Sequence, residues 1–483
     1  MSGVLVIDVG TSGLRAAIVT PDAAVEHVTY IRFPAQSPSP GLVEFDAQVM
    51  ARHVLDAANA TIAEHRDSVA AVGITNQRAS TVVWDRTTGE PIGPALGWQD
   101  LRTVVECIVA RSEHDLALAP NQSATKIAWL LNMYDPERSR DLAFGTVDTW
   151  IAWVLSEGVL HITDHTNAAI TGLYDLATRS WSERACKALG IPMTMLPTIV
   201  DSSGSLGTAS VLPGAPMIGG MIGDQQGSLV GQGCVRPGHA KVTFGTGAML
   251  DMCTGSKPPR DHRRSGNGTF PIVAWTRNDE PHWGVEAIML SAGSNVEWLY
   301  EDMGLIDNAA HSHDVASQCD STDGVTFVPA LLGLGTPRWD YGARGALLGI
   351  TRGTSRPHIV RAVLEGIAQR GADLVDAAEA DTRLAIPVLR IDGGMSVNPT
   401  FVQAFANACG KTVEVSPVTE ATTLGAGYLA GLAAGIWRDL DEVADSWAPS
   451  STVEPNSSFD RDRWRTAVDR SAGWIPDLSA LDF

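Results

Sequence analysis

Apolar runs along the chain are interrupted by glycine-rich turns. The first run covers residues 4–19 and breaks at the turn 8–13. Two β-rich runs joined by a tight glycine turn are typical of a β-hairpin. The same pattern returns over residues 240–252, around the Gly-Thr-Gly turn 245–247. The repeat predicts a duplicated unit whose two turns could bind one phosphate chain from both sides.

In the rest of the chain, segments with the hydrophobic pattern of a strand alternate with segments that have the pattern of a helix. This alternation favours an α/β fold. Strands are predicted at 71–75, 80–84 and 388–391, and helices at 126–133, 356–375 and 422–435. Asn398 followed by Pro399 is typical of an N-cap and a first helical position. Beyond residue 439 the chain is polar and predicts a surface extension with a terminal helix.

The duplication also predicts the domain limits. We place an N-terminal domain at 1–234, a C-terminal domain at 235–440 and an extension at 441–483. A cleft between the two domains would then have Asp224 on its first wall, close to the second Gly-Thr-Gly turn.

Charge and composition exclude several classes of protein. The chain has 483 residues, of which 44% are hydrophobic and 19% charged, an ordinary composition for a folded protein. Its 35 Lys and Arg against 55 Asp and Glu give a net charge of −20, which disfavours nucleic acid and anionic membranes as partners. Six scattered cysteines, no signal peptide pattern and no long apolar run predict a cytoplasmic protein without a zinc site.

Asp224 is the only charge in the apolar, glycine-rich run 218–231. A carboxylate in such surroundings can accept a proton from a substrate hydroxyl. It can also end a strand and cap the helix that follows. The segment alone leaves both interpretations open.

Several motifs occur in the order seen in the FGGY carbohydrate kinases. The short ones are Asp-Val-Gly-Thr-Ser-Gly at 8–13, Gly-Asp-Gln-Gln at 223–226, Phe-Gly-Thr-Gly at 244–247 and Asp-Gly-Gly at 392–394. Segments 123–132 and 345–365 resemble the two signature segments of that family. The resemblance extends from about residue 4 to 437 and is closest to the glycerol kinase branch, which segments 75–78, 97–100, 144–150 and 334–340 also resemble.

The resemblance implies two actin/hexokinase-type, ribonuclease H-like ATPase domains on either side of a catalytic cleft. It also implies ATP and Mg²⁺ as cofactors, and transfer of the γ-phosphoryl group to a terminal hydroxyl of a small polyol or sugar. Such a transfer needs positioning and charge neutralisation more than covalent help, so glycine turns and one carboxylate are sufficient. A homodimer is a further expectation from the family.

The resemblance assigns roles to individual residues. Asp224 would be the catalytic base, and Asp8 and Asp224 would hold Mg²⁺ through water, which suits a cation that keeps its hydration shell. The nucleotide-binding positions would be Thr11, Ser12, Arg15, Gly245, Thr246, Gly293, Gly394 and Asn398. Structural roles stay open beside these: a strand end for Asp8, helix packing for Gly293 and capping for Asn398.

Arg78, Trp98 and Gln225 match positions that contact the acceptor. Arg78 can donate two hydrogen bonds to neighbouring hydroxyls, and Trp98 offers an apolar face to the C–H side of a carbon chain. A tryptophan is more often part of a core, but the matched motif Gly-Trp-Gln-Asp favours a site.

Three positions depart from glycerol kinases, and all three belong to the acceptor site. Ala79 stands where those enzymes have Glu, Asn121 where they have Tyr, and Met249 where they have an aromatic residue. Losing a carboxylate partner for a buried hydroxyl costs about 1–3 kcal/mol, enough to change acceptor preference. We therefore expect a larger, less polar pocket for a longer alditol or a ketose, with glycerol as the alternative.

Two other classes remain possible. A chaperone-like or filament-forming ATPase of the same fold would need no acceptor pocket, and a sensor would bind a polyol without turnover. The combination of Arg78, Trp98 and Asp224 argues against the first class, and intact Asp8, Asp224 and Thr246 argue against the second.

Overall fold

One large sheet runs through the molecule in the computed structural model, which describes residues 2–65, 67–260 and 263–481. The strands are β1 Gly3–Val9, β2 Gly13–Val19, β3 Val25–Arg32, β4 Glu44–Phe45, β5 Val69–Asn76, β6 Val82–Asp85, β7 Ala95–Leu96, β8 Leu142–Gly145, β9 Ile162–Asp164, β10 Tyr174–Asp175, β11 Ser180–Trp181, β12 Thr198–Val200, β13 Ser203–Thr208, β14 Met217–Gly223, β15 Ala240–Phe244, β16 Ala248–Gly255, β17 Phe270–Arg277, β18 Glu280–Met289, β19 Thr326–Val328, β20 Ala346–Leu348, β21 Val388–Asp392, β22 Thr412–Val415 and β23 Ser451–Val453. The helices are α1 Ala47–His65, α2 Val104–His114, α3 Ser123–Tyr134, α4 Val147–Leu155, α5 His165–Ala169, α6 Glu183–Leu189, α7 Asp224–Gly231, α8 Gly293–Glu301, α9 His311–Ala316, α10 Arg356–Thr382, α11 Pro399–Cys409, α12 Ala421–Ala433, α13 Leu440–Ser446, α14 Arg461–Ser471 and α15 Pro476–Ser479, with a 3-10 turn at Met193–Met195.

The two halves of the sheet repeat one strand arrangement. In the first half the order is β3-β2-β1-β5-β14, where β1, β2 and β3 are antiparallel neighbours and β5 and β14 run parallel to β1. In the second half β18, β16, β15, β21 and β22 have the same order and the same directions. The predicted duplication of a hairpin-led α/β unit is therefore confirmed.

Strands β13 and β17 join the two halves into a continuous sheet. β13 pairs antiparallel with β14, and β17 pairs antiparallel with β18. Between β13 and β17, Ser203 lies opposite Arg277. The two halves thus share one sheet and meet at a narrow seam.

Each half has its own apolar core, and a third core lies between them. The first core packs α1 and α4 against the first-half strands, and the second packs α10 and α11 against the second-half strands. In the third core α7 and α12 cross closely, because each carries glycine at the contact. A Cβ atom built at Gly425 would collide with the carbonyl oxygen of Gly227, and one at Gly231 with that of Ala421.

Features that depend on neighbouring residues, such as helix caps, lie where the sequence predicts them. Asn398 caps α11 by accepting the Phe401 N–H at 3.1 Å, and Pro399 is the first residue of that helix. The helix predicted at 356–375 continues to Thr382. The C-terminal segment does contain helices, but it also adds β23 to the sheet edge beside β22 and buries Trp464.

Within the described residues, no helix combines the length and apolar character needed to cross a membrane. The domain limits placed at residues 234 and 440 stay predictions.

Candidate active site

Asp224 lies where strand β14 ends and helix α7 begins. Its Oδ1 accepts the N–H of Gln225 at 2.8 Å, so the carboxylate stabilises the start of the helix even though Gly223 is the N-cap residue. Arg78 Nε is 3.4 Å from the same oxygen. Desolvation raises the pKa of Asp224, while the charge of Arg78 opposes the rise. A carboxylate with a raised pKa is a stronger base, so the helix-end role and the catalytic role are compatible.

Asp8 lies near the end of β1, at the same edge of the sheet as the end of β14, because both strands run parallel to β5. Its Oδ2 accepts the hydroxyl of Thr423 at 3.1 Å, and Arg15 Nε is 3.7 Å away. Burial raises the pKa of Asp8 to about 6, against the effects of Arg15 and Thr423, and the charge of Asp224 contributes to the rise. Two carboxylates that repel each other suit a shared divalent cation, and the hydrated Mg²⁺ that the resemblance implies fits this pair.

The two predicted phosphate turns are the loops of the repeated hairpins. Thr11 and Ser12 lie between β1 and β2, and Gly245 and Thr246 lie between β15 and β16. Arg15 forms an ion pair with Glu420, which comes from the second half of the chain. Both turns therefore keep their threonines and backbone groups at strand ends, where a phosphate chain could bind.

The remaining nucleotide positions belong to the second half. Gly293 begins α8, and its N–H donates to the Gly245 carbonyl at 2.8 Å, so it packs directly on the second phosphate turn. Gly394 faces open space, since a Cβ built there meets no atom within 4 Å. Asn398, besides capping α11, donates from Nδ2 to Ser312 Oγ at 2.8 Å. These structural roles leave a nucleotide role open.

Three of the six predicted acceptor residues, Arg78, Gln225 and Met249, come together around Asp224. Arg78 Nη2 lies 3.9 Å from the sulfur of Met249, and Gln225 directly follows Asp224 in α7. The indole N–H of Trp98 donates to Thr11 Oγ1 at 3.3 Å, which links the acceptor side to the first phosphate turn.

Two predicted acceptor residues have a different setting. Ala79 is buried with a φ of +61°, and its carbonyl accepts the hydroxyl of Ser123 at 3.0 Å. Asn121 is exposed and makes no side-chain hydrogen bond within the described part of the chain. Neither side chain therefore supplies a polar contact to this site as it stands.

The sequence analysis did not single out two other charged residues at the site, Glu286 and Lys126. Glu286 accepts a 2.6 Å hydrogen bond from Arg78 Nη2, and buried Lys126 donates to the carbonyls of Gly97 and Trp98 at 2.7 and 3.1 Å. Burial lowers the pKa of Lys126 to about 7. The signal that singled out Asp224, one charge in an apolar run, is also present around Glu286.

Comparison with known proteins agrees with this geometry. The model for the FGGY family of carbohydrate kinases, N-terminal domain, matches residues 3–231, and the model for its C-terminal domain matches residues 240–434. The chain is 40% identical to a glycerol kinase of Aromatoleum aromaticum, over 98% of this chain and 100% of that protein. It is 39% identical to glycerol kinase 2 of Thermotoga maritima, over 98% of this chain and 99% of that one.

Solved structures show the same architecture. Plasmodium falciparum glycerol kinase with ADP has a TM-score of 0.89 at 32% identity, over 98% of both chains. A ligand-bound xylulose kinase from Lactobacillus acidophilus has a TM-score of 0.86 at 20% identity, over 100% of this chain and 98% of that one, a likeness of fold alone. With its duplicated hairpins, two acidic residues and matched halves, the chain belongs to the FGGY family of carbohydrate kinases.

Proposed function

We propose that this kinase phosphorylates a terminal hydroxyl of a longer alditol or a ketose rather than glycerol. As a member of its family it is a phosphotransferase that uses ATP with Mg²⁺ and an alcohol group as acceptor. The observation that carries the finer proposal is Ala79, a small buried residue at the position where the resemblance expects a carboxylate.

The proposed mechanism assigns one task to each group. Asp224 accepts the proton of the attacking hydroxyl, and its raised pKa suits it to that task. Arg78 and Gln225 donate hydrogen bonds to neighbouring oxygens of the acceptor, and the Trp98 ring packs against the C–H face. The N–H groups and threonines of the two turns hold the phosphates, whose charge Mg²⁺ neutralises when bound.

Glycerol is the second candidate acceptor. It is favoured by about 40% identity to glycerol kinases over nearly the whole chain. At that identity the nucleotide side of the site is expected to be shared, so the acceptor side decides between the two candidates.

An acceptor panel tests the proposal. Purified protein with ATP and Mg²⁺ would be assayed for ADP release with glycerol, tetritols, pentitols, xylulose and ribulose. The proposal expects the best kcat/KM for a pentitol or a ketose. Glycerol as much the best acceptor would establish the second candidate, and sugar binding without ADP release would favour the sensor class.

A further inference from the structure

Three charged side chains form a row across the second-half sheet. The strand register places Lys241 on β15 opposite Asp251 on β16, and Asp251 opposite Glu286 on β18. Residues directly opposite in antiparallel strands project from the same face, so the three lie side by side. All three are buried. We call Lys241, Asp251 and Glu286 the charged row.

One end of the charged row holds the side chain of Gln225. Lys241 Nζ donates to Gln225 Oε1 at 2.8 Å and to Thr243 Oγ1 at 2.9 Å, and it lies 2.8 Å from Asp251 Oδ2. An ammonium group can only donate hydrogen bonds and cannot accept them. The amide oxygen of Gln225 must therefore face Lys241.

This contact fixes which group of Gln225 is free. With the oxygen turned toward Lys241, the Nε2 group points away from the charged row. Nε2 has no hydrogen-bond partner among the described residues and is not buried. Gln225 thus offers a donor, and not an acceptor, to whatever occupies the site.

The other end of the charged row holds Arg78. Glu286 Oε2 accepts from Arg78 Nη2 at 2.6 Å, and Arg78 Nε lies 3.4 Å from Asp224. With Arg78 included, each acid of the charged row has a cation beside it, which lowers the cost of removing these charges from water. Arg78 has donors only, so both ends of the charged row present N–H groups beside Asp224.

We propose that the charged row positions Arg78 and Gln225 as two fixed donors, and that these donors select an acceptor with a carbonyl oxygen next to the reacting hydroxyl. This inference rests on the proposed function and narrows it to a ketose. A carbonyl oxygen can accept two hydrogen bonds and has no proton of its own to place. An alditol hydroxyl at that point carries a proton, which neither of the two donors can accept.

The variant Gln225→Glu tests the Nε2 donor directly, because a glutamate side chain has the same shape as a glutamine side chain. One carboxylate oxygen can accept from Lys241, while the other presents an acceptor where Nε2 presented a donor. We expect kcat/KM for xylulose to fall at least 30-fold, mainly through KM, and that for xylitol to fall less than fivefold. The ratio of the two substrates removes any general effect of the added charge on Asp224.

The double variant Lys241→Met/Asp251→Leu tests the positioning. Removing both members of a buried ion pair together leaves no unpaired charge, and the Gln225 amide becomes free to rotate. We expect the preference for xylulose over xylitol to fall about tenfold. The melting temperature and the Kd for ADP, measured by calorimetry, serve as controls for folding and for the nucleotide side.

Two sets of outcomes separate the possible failures. Equal losses for xylulose and xylitol in both variants would show that the charged row only supports the fold and would overturn the inference. Glycerol as the best acceptor of the unmodified protein would instead refute the proposed function and the ketose assignment. In that case a tenfold rise in the KM for glycerol in the double variant supports the positioning role, and an unchanged KM overturns it.

Discussion

At the residue scale, the pKa of Asp224 is raised by burial, and the neighbouring cation Arg78 limits the rise. Desolvation disfavours its charged form, and Arg78 Nε at 3.4 Å favours it. The raised pKa makes this carboxylate a stronger base toward the proton of a substrate hydroxyl.

Replacing Asp224 with Asn removes the base and keeps the shape. We expect kcat to fall by about 10²- to 10⁴-fold. The Kd for ADP, measured by calorimetry, should stay within a few-fold, because the predicted nucleotide contacts lie elsewhere. A variant that keeps more than a tenth of the original kcat would contradict the role of base.

We propose that Ala79 determines which acceptor the enzyme prefers, so Ala79→Glu should move the preference toward glycerol. A carboxylate there would give a distal hydroxyl a partner worth about 1–3 kcal/mol, or roughly 5- to 150-fold in relative kcat/KM. Ala79→Gln is the matched control, with nearly the same volume and no charge. An unchanged ratio of glycerol to pentitol use would count against Ala79 as the determinant.

At the element scale, the crossing of α7 and α12 connects two carboxylates of the first half through a helix of the second half. Asp224 begins α7, and Thr423 in α12 donates to Asp8. The helices approach so closely because Gly227, Gly231 and Gly425 carry no side chains. Small changes at this crossing should therefore reach both carboxylates.

Gly425→Ala tests this contact. The added methyl group collides with backbone of α7 and cannot be accommodated by a rotamer change, so we expect a loss of about 1–3 kcal/mol in unfolding free energy. We also expect a lower kcat, because α7 carries Asp224. Gly266→Ala is the control, since a Cβ there meets no atom within 4 Å. Equal melting temperatures for the two variants would refute the tight crossing.

The elements also show what the sequence could predict. Hairpin turns and the Asn398 cap follow from neighbouring residues, and they were predicted correctly. The charged row was missed because its members are paired by strand register across 10 and 35 positions of sequence. Lys241, Asp251 and Glu286 each interrupt an apolar strand, which marks them as candidates but does not say that they are neighbours.

At the scale of the whole molecule, a buried carboxylate makes stability depend on pH. Asp148 is fully buried, and its oxygens accept the hydroxyls of Thr146 and Thr163. Burial, with a contribution from Asp164, raises its pKa from 3.8 to about 7. Between these values the native state binds more protons than the unfolded state, so stability falls as pH rises through this window.

Asp148→Asn removes the titration and keeps the shape. We expect its melting temperature relative to the unmodified protein to rise between pH 5 and pH 8, because only the unmodified protein must keep the charge of Asp148 buried at the upper end. Thermal unfolding at several pH values measures the difference. A difference that does not change with pH would show that Asp148 contributes nothing to the pH dependence.

The seam between the halves has a mechanical consequence. In the described part of the chain a single register pair, Ser203 opposite Arg277, joins β13 to β17, while the strands on either side are paired over longer stretches. A single pair resists twisting less than the longer pairings beside it, so a relative rotation of the halves would concentrate at this point of the sheet. Because Lys241 belongs to one half and Gln225 to the other, such a rotation would lengthen their 2.8 Å contact. Opening the cleft would then free the Gln225 amide to rotate, and closing the cleft would fix its orientation again. Gln225 would therefore donate its hydrogen bond to the acceptor only in the closed state.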